Sequence, residues 1–155
     1  MKSPTNILWI IALAIVGAML LGRLTRGATP VPTVFQNTVS LTEALDRSQE
    51  TGAPVLALAT ADWCGPCQHL KETTLVDTRV SDWIRANTIP VYIEESERPT
   101  DLRMLPVRAY PTSFVIADGQ VVGKLEGGRN AEGYLRWLKE TSERLNGAAP
   151  ATPDP

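Results

Sequence analysis

The chain has two cysteines, Cys64 and Cys67, and they stand two residues apart in Trp63-Cys64-Gly65-Pro66-Cys67. What surrounds them constrains the fold more than any other feature. The run Pro54-Val55-Leu56-Ala57-Leu58-Ala59 is continuously apolar and short, as a strand buried on both faces should be. Gln68-His69-Leu70-Lys71-Glu72 then continues as a helix. The pair therefore sits at a strand-to-helix junction, where free backbone N–H groups and the helix dipole favour an anion. A thiolate is such an anion, and it is the thiolate that attacks a disulfide.

Two bland readings compete with redox chemistry. A structural zinc site usually takes four protein ligands, and the second pair is missing here, with His69 wrongly spaced to serve as a third. A structural disulfide closing so short a loop restrains the unfolded chain little. Redox exchange is the better reading, with Cys64 attacking first and Cys67, more deeply buried, resolving the mixed disulfide.

These residues resemble the thioredoxin superfamily, over roughly residues 35–145. The Trp-Cys-Gly-Pro-Cys run looks identical to the active site of thioredoxins. Val107-Arg108-Ala109-Tyr110-Pro111-Thr112 is similar to the segment that in this family carries a cis-proline facing the cysteines. The hairpin Phe114–Val122, then Gly127-Gly128 and a last helix, complete the match in the right order. The resemblance implies an α/β thioredoxin fold, a central mixed β-sheet flanked by helices. It also implies Trp63, Gly65 and Pro66 as support for the cysteines, Tyr110 and cis-Pro111 as substrate-binding residues, and no cofactor beyond the Cys64–Cys67 disulfide. Gly65-Pro66 resembles the reducing members. The family's buried aspartate six positions before the first cysteine is replaced by Leu58, Gln68 stands where lysine is usual, and Glu72 replaces a helix-kinking proline. Asp62 and Glu94 are the acids that could take over its proton-moving role. Ala61–Cys64 with Thr74–Asp77 instead looks like the C-terminal domain of the transmembrane electron-transfer disulfide reductase.

Ile7 to Gly22 carries no charge and is flanked by Lys2, Arg23 and Arg26. With Thr5 to Leu24 included, it is long enough to approach a ~30 Å hydrocarbon core, Arg23 snorkelling to the headgroups. Residues 1–26 are thus a membrane anchor or a signal segment. Poor cleavage candidates around Thr25-Arg26-Gly27 favour the uncleaved anchor, membrane contact running through residues 5–24. The basic flanks nearly tie. The short amino end and the tethered relatives of this family point the rest to the extracytoplasmic, periplasmic side.

Pro-containing residues 27–34 read as a linker, 35–147 as the thioredoxin-like domain, and the Ala/Pro-rich 148–155 as a disordered tail. Within the domain, Val34–Val39 suggests a first strand. Ser40-Leu41-Thr42-Glu43 is a capping box opening a helix that stops near Gly52. Asp77–Asn87 is helical, Ile89–Ile93 a strand, and Glu94–Leu105 a polar excursion whose Glu94, Glu95 and Glu97 read as solvated. Asp118-Gly119 turns a hairpin, and Asn130 caps a last helix striped with Tyr134, Leu135, Leu138 and Leu145. Trp83, Trp137 and Tyr134 are core candidates, and His69 reads as simply exposed.

Net charge is −2, but removing Lys2, Arg23 and Arg26 leaves 12 basic against 17 acidic residues, a net of −5. A nucleic-acid partner, which needs a basic face, is therefore not expected. The expected activity is thiol–disulfide exchange on protein thiols in the cell envelope with reduction favoured, electrons coming from a membrane or soluble reductase. The alternatives are a tethered client-binding module with little turnover, for which Leu58 speaks, and a thiol reductase of cytochrome c maturation.

Overall fold

The computed structural model of the protein describes residues 4–24 and 29–148, with the side chains of the first helix described over 8–19. Helix α1, Pro4–Leu24, is 21 residues long, and Leu8, Trp9, Leu13 and Met19 along it are each about two-thirds exposed. Among the described residues no helix is long and apolar enough to cross a membrane. The expected transmembrane helix is therefore seen as a helix and not as a span. Residues 25–28 of the tether and the tail beyond Ala148 lie outside the described residues, and Ala148 itself closes the last helix.

Four strands form one mixed sheet in the order β2-β1-β3-β4. β1, Val55–Thr60, pairs parallel with β2, Ile89–Glu94, and antiparallel with β3, Thr112–Ala117. β4, Gln120–Glu126, pairs antiparallel with β3. Every residue of β1 is buried, as its unbroken apolar run predicts. Its alternation divides the core. Leu56 and Leu58 join Leu70, Val80, Ile84, Tyr134 and Leu138 on one face, whereas Val55, Ala57 and Ala59 join Leu41, Ala44, Phe114 and Leu105 on the other.

Local signals place the flanking elements. Ser40 caps α2, Leu41–Thr51, its hydroxyl accepting the Glu43 N–H at 3.2 Å, and Gly52 ends the helix at φ 72°. The active-site helix begins as α3, Gly65–His69, and widens into a π turn over Leu70–Thr74. Asp77 caps α4, Thr78–Asn87. A five-residue helix α5, Pro99–Arg103, interrupts the polar stretch after β2. The β3–β4 turn has Asp118 at φ 51° and Gly119 at φ 72°, the doubly left-handed pair that a two-residue hairpin needs. Asn130 Oδ1 accepts the Gly133 N–H at the start of α6, Ala131–Ala148.

The first strand expected over 34–39 does not form. Pro32 leads into a single 3-10 turn, Thr33–Phe35, and Asn37 turns the chain at φ 57°. The backbone groups that would make a ladder are taken by side chains. The Thr38 hydroxyl accepts the Tyr92 N–H, and Arg98 donates to the Thr38 and Val39 carbonyls at 3.0 and 2.6 Å. Val34 and Phe35 are nonetheless core residues, 4% and 1% exposed.

Candidate active site

Cys64 is the N-cap of α3, and its sulfur accepts the Cys67 N–H at 3.2 Å. The two cysteines form a disulfide with Cα atoms 5.2 Å apart. Cys64 keeps 5% exposure and Cys67 none, so in this disulfide state both sulfurs are nearly covered. Gly65 and Pro66 form the exposed first turn, where proline costs no intrahelical hydrogen bond. Trp63 is 74% exposed. It stands edge-on to Tyr110, ring centres 5.9 Å apart, and its indole N–H donates to Glu95 at 2.8 Å. The Tyr110–Pro111 bond is cis, as expected, and Tyr110 packs against the cysteine cluster with Ala61. The structure thus gathers Trp63 and Tyr110 at the cysteine pair, with Gly65 and Pro66 in the turn between the cysteines and Pro111 next to Tyr110 in the chain. Burial, with the Glu95 and Glu94 charges, pushes the Tyr110 phenol up.

The acidic segment after β2 is not uniformly solvated. Glu94 is 4% exposed, and its carboxylate accepts the Asp62, Ser96 and Glu97 N–H groups and the Ser96 hydroxyl. Burial alone would raise its pKa, but these donors outweigh it and hold the carboxyl below the usual range. The acid clamps the loop that carries Trp63 and Cys64, and with its lone pairs so occupied it is not a proton carrier in waiting. Glu95 binds Trp63, and Glu97 is the exposed member of the three.

Leu58 is fully buried in β1, beside Tyr92 on one side and Ser113 on the other. No acid lies there. What the sequence reading passed over is Lys71, 1% exposed, whose ammonium donates to the Thr29 carbonyl at 3.0 Å, the Tyr92 hydroxyl at 3.4 Å and Asp62 Oδ1 at 3.5 Å. Burial, with the Asp62 charge, pushes the Tyr92 phenol up to about 12, and the facing Thr60 hydroxyl, which makes no hydrogen bond of good geometry, opposes this. Thr29, read as linker, is held by three side chains of the active-site helix: its N–H donates to Gln68 at 2.8 Å, its hydroxyl to Glu72 at 2.7 Å, and its carbonyl accepts from Lys71. Gln68 also donates to the Asp62 carbonyl at 2.8 Å. Lys71 could have been found from its spacing, since position i+4 from Cys67 lies on the same inward face. Among the described residues, no group of three or more His, Cys, Asp or Glu could hold a metal ion.

A family model described as a thioredoxin-like domain matches residues 41–142. The chain belongs to the thioredoxin-like family. Among relatives of this thioredoxin-like protein, an H-type thioredoxin of Populus jackii is 30% identical over 104 residues, 58% of this chain and 62% of the relative. The chloroplastic thioredoxin Y1 of Arabidopsis thaliana is 26% identical over 88 residues, 57% of this chain and 49% of the relative. The chain therefore spans about half to three-fifths of these curated relatives. The solution structure of a putative disulphide-isomerase from Bacteroides thetaiotaomicron superposes with a TM-score of 0.60 at 26% identity, covering 74% of this chain and 98% of the other. The likeness supports the thioredoxin fold of this chain, a mixed sheet flanked by helices.

Proposed function

We propose that this thioredoxin-like protein is a thiol–disulfide oxidoreductase that exchanges its Cys64–Cys67 pair with protein thiols and disulfides, reduction favoured. The observation that carries the reading is the cap geometry: the Cys64 sulfur receives the Cys67 N–H at the first turn of the helix. A thiolate there is stabilised by the same donor and by the helix terminus. In the reduced protein, Cys64 attacks a substrate disulfide. Its sulfur bonds to one substrate sulfur while the other leaves with the electron pair and takes a proton. Cys67 then attacks Cys64, restoring the internal disulfide and releasing the second substrate thiol. Trp63 and Tyr110 offer an exposed aromatic corner for the substrate chain, and the backbone before Pro111 offers it strand-like hydrogen bonds.

The proposal extends to place. Residues 5–24 hold the protein in a membrane with the active site on the extracytoplasmic side, supported by the 21-residue α1 and its exposed apolar side chains. Electrons come from a membrane or soluble reductase. No cofactor and no nucleic acid take part. A second reading, a tethered client-binding module, is favoured by the fully buried Leu58, which removes the acid expected behind the pair.

Insulin-disulfide reduction by the full-length protein in mild detergent, with a small dithiol as electron source, separates the two readings. Turnover is expected, with Cys64→Ser abolishing it and Cys67→Ser accumulating a mixed disulfide. A lack of turnover in a folded protein would leave the binding module. Trapping through Cys64→Ser instead would exchange the roles of the cysteines.

A further inference from the structure

We propose that Lys71 is the positioning residue that readies Cys67 for the second half of the exchange, its buried ammonium stabilising the Cys67 thiolate. The inference rests on the reading of Cys67 as the resolving cysteine.

Helix geometry and one contact place the charge. Lys71 follows Cys67 by four residues, where α3 passes into the π turn, and both are buried, with the ammonium reaching Tyr92 of the sheet; i and i+4 side chains on a helix are neighbours. Side chains on a helix tilt towards its N-terminus, here towards the cysteines. The contact with Asp62, 3.5 Å from Nζ, shows that the head group reaches the loop leading into Trp63 and Cys64. The ammonium has three protons and three acceptors, the Thr29 carbonyl, the Tyr92 hydroxyl and Asp62.

The charges around it leave the cation dominant. Its partner Tyr92 pairs with apolar Leu58 of β1 and lies near the uncharged Thr60. From β2 comes the Tyr92 phenol, neutral at physiological pH, with Glu94 and Glu97 beyond it. Glu94 is occupied by its own four donors. On its own helix, Glu72 binds the Thr29 hydroxyl. Asp62, from the loop after β1, is the one carboxylate in contact with Lys71 among the described residues, and its side chain is 52% exposed. Water screens an exposed carboxylate far more than a buried ammonium, so Asp62 offsets the cation only in part.

In the resolving step the Cys67 thiol gives up its proton through solvent to the departing substrate sulfur. The Cys67 sulfur bonds to Cys64, and the bond from Cys64 to the substrate breaks with its electron pair on the substrate sulfur. Lys71 neither gains nor loses a proton. It lowers the free energy of the Cys67 thiolate, as a neighbouring cation does for any thiol. Leu58, apolar and fully buried, could not do so.

Stopped-flow reaction of the reduced full chain, in mild detergent, with 5,5′-dithiobis(2-nitrobenzoate) separates the two steps. Attack by Cys64 releases the first thionitrobenzoate, and attack by Cys67 on the mixed disulfide releases the second. Lys71→Met should move the pH midpoint of the second phase up by about one unit, slowing it roughly tenfold at pH 7, and leave the midpoint of the first phase nearly unmoved. Asp62→Asn, which unmasks the cation, should move the second midpoint down. Opposite shifts from the two substitutions would not arise from loosened packing. An unchanged second midpoint in folded Lys71→Met, or an unchanged or raised one in Asp62→Asn, overturns the role of Lys71. If Lys71→Met does not fold, Asp62→Asn alone decides. A second phase that persists in Cys67→Ser would overturn the reading of Cys67 and leave Lys71 without a step to assist.

Discussion

Glu94 and Lys71 are two buried charges with different uses. Glu94 ends β2 and is surrounded by donors, three backbone N–H groups and one hydroxyl. Hydrogen bonds to a charged acceptor typically contribute about 1.5–3 kcal/mol each when their loss strands a buried partner. Because those donors hold the folded carboxyl below its ordinary value, its stabilisation is fully present above the unfolded pKa of about 4.5. It is lost as pH falls through the folded pKa. Glu94→Gln should therefore cost about 2 kcal/mol at pH 7 in urea unfolding, and the gap to the parent protein should shrink towards zero near pH 3. An equal gap at both pH values would mean that shape, not charge, holds the Trp63–Cys64 loop.

At the scale of elements, β4 and α6 approach closely at Gly123. Gly123 is buried, and a Cβ built there would lie 2.6 Å from the Thr141 methyl and 3.4 Å from the Val115 Cβ. Thr141 is itself 1% exposed, so it has little room to move. Gly123→Ala should destabilise the fold by about 1–3 kcal/mol, and Thr141→Ser, which removes the methyl, should recover much of that loss in a double-mutant cycle read by thermal melts. Strict additivity would show that the helix, not the methyl, gives way. This contact also marks where sequence reading stops. β1, the Ser40 and Asn130 caps, the Gly52 stop and the Asp118-Gly119 turn were legible because each is specified by residues within a few positions. Trp63, Cys64 and Cys67 were legible because they adjoin in one motif, and Tyr110 and Pro111 because the 107–112 segment resembles the family's. The strand expected at 34–39 failed because its competitor, Arg98, lies 60 residues away and takes the Thr38 and Val39 carbonyls. Glu94 and Lys71 look like ordinary surface charges until β2 and the π turn bring donors and acceptors to them. Burial of a charge depends on tertiary partners, and no local pattern reports those.

Across the whole molecule, the connection between α1 and the active site is short. α1 ends at Leu24, and Thr29, fastened to Gln68, Lys71 and Glu72, is five residues on. Five residues of extended chain reach at most about 18 Å. On the proposed membrane reading, the cysteine pair is thus held close to the bilayer surface, within reach of a membrane-embedded electron donor. Two measurements test the arrangement together. Full-length protein should stay with membranes through a carbonate wash, and a reporter active only outside the cytoplasm, fused after Pro155, should be active. A soluble form beginning near Ala28 would refute the anchor, and activity of a cytoplasm-only reporter at the same junction would refute export. A soluble fragment starting at Val34 should also be less stable than one starting at Ala28. It lacks the three Thr29 hydrogen bonds, together worth about 3 kcal/mol, and strips Lys71 of its shortest contact. Equal urea midpoints for the two fragments would mean that the clamp contributes nothing, and that the distance from membrane to cysteines is set by the linker alone.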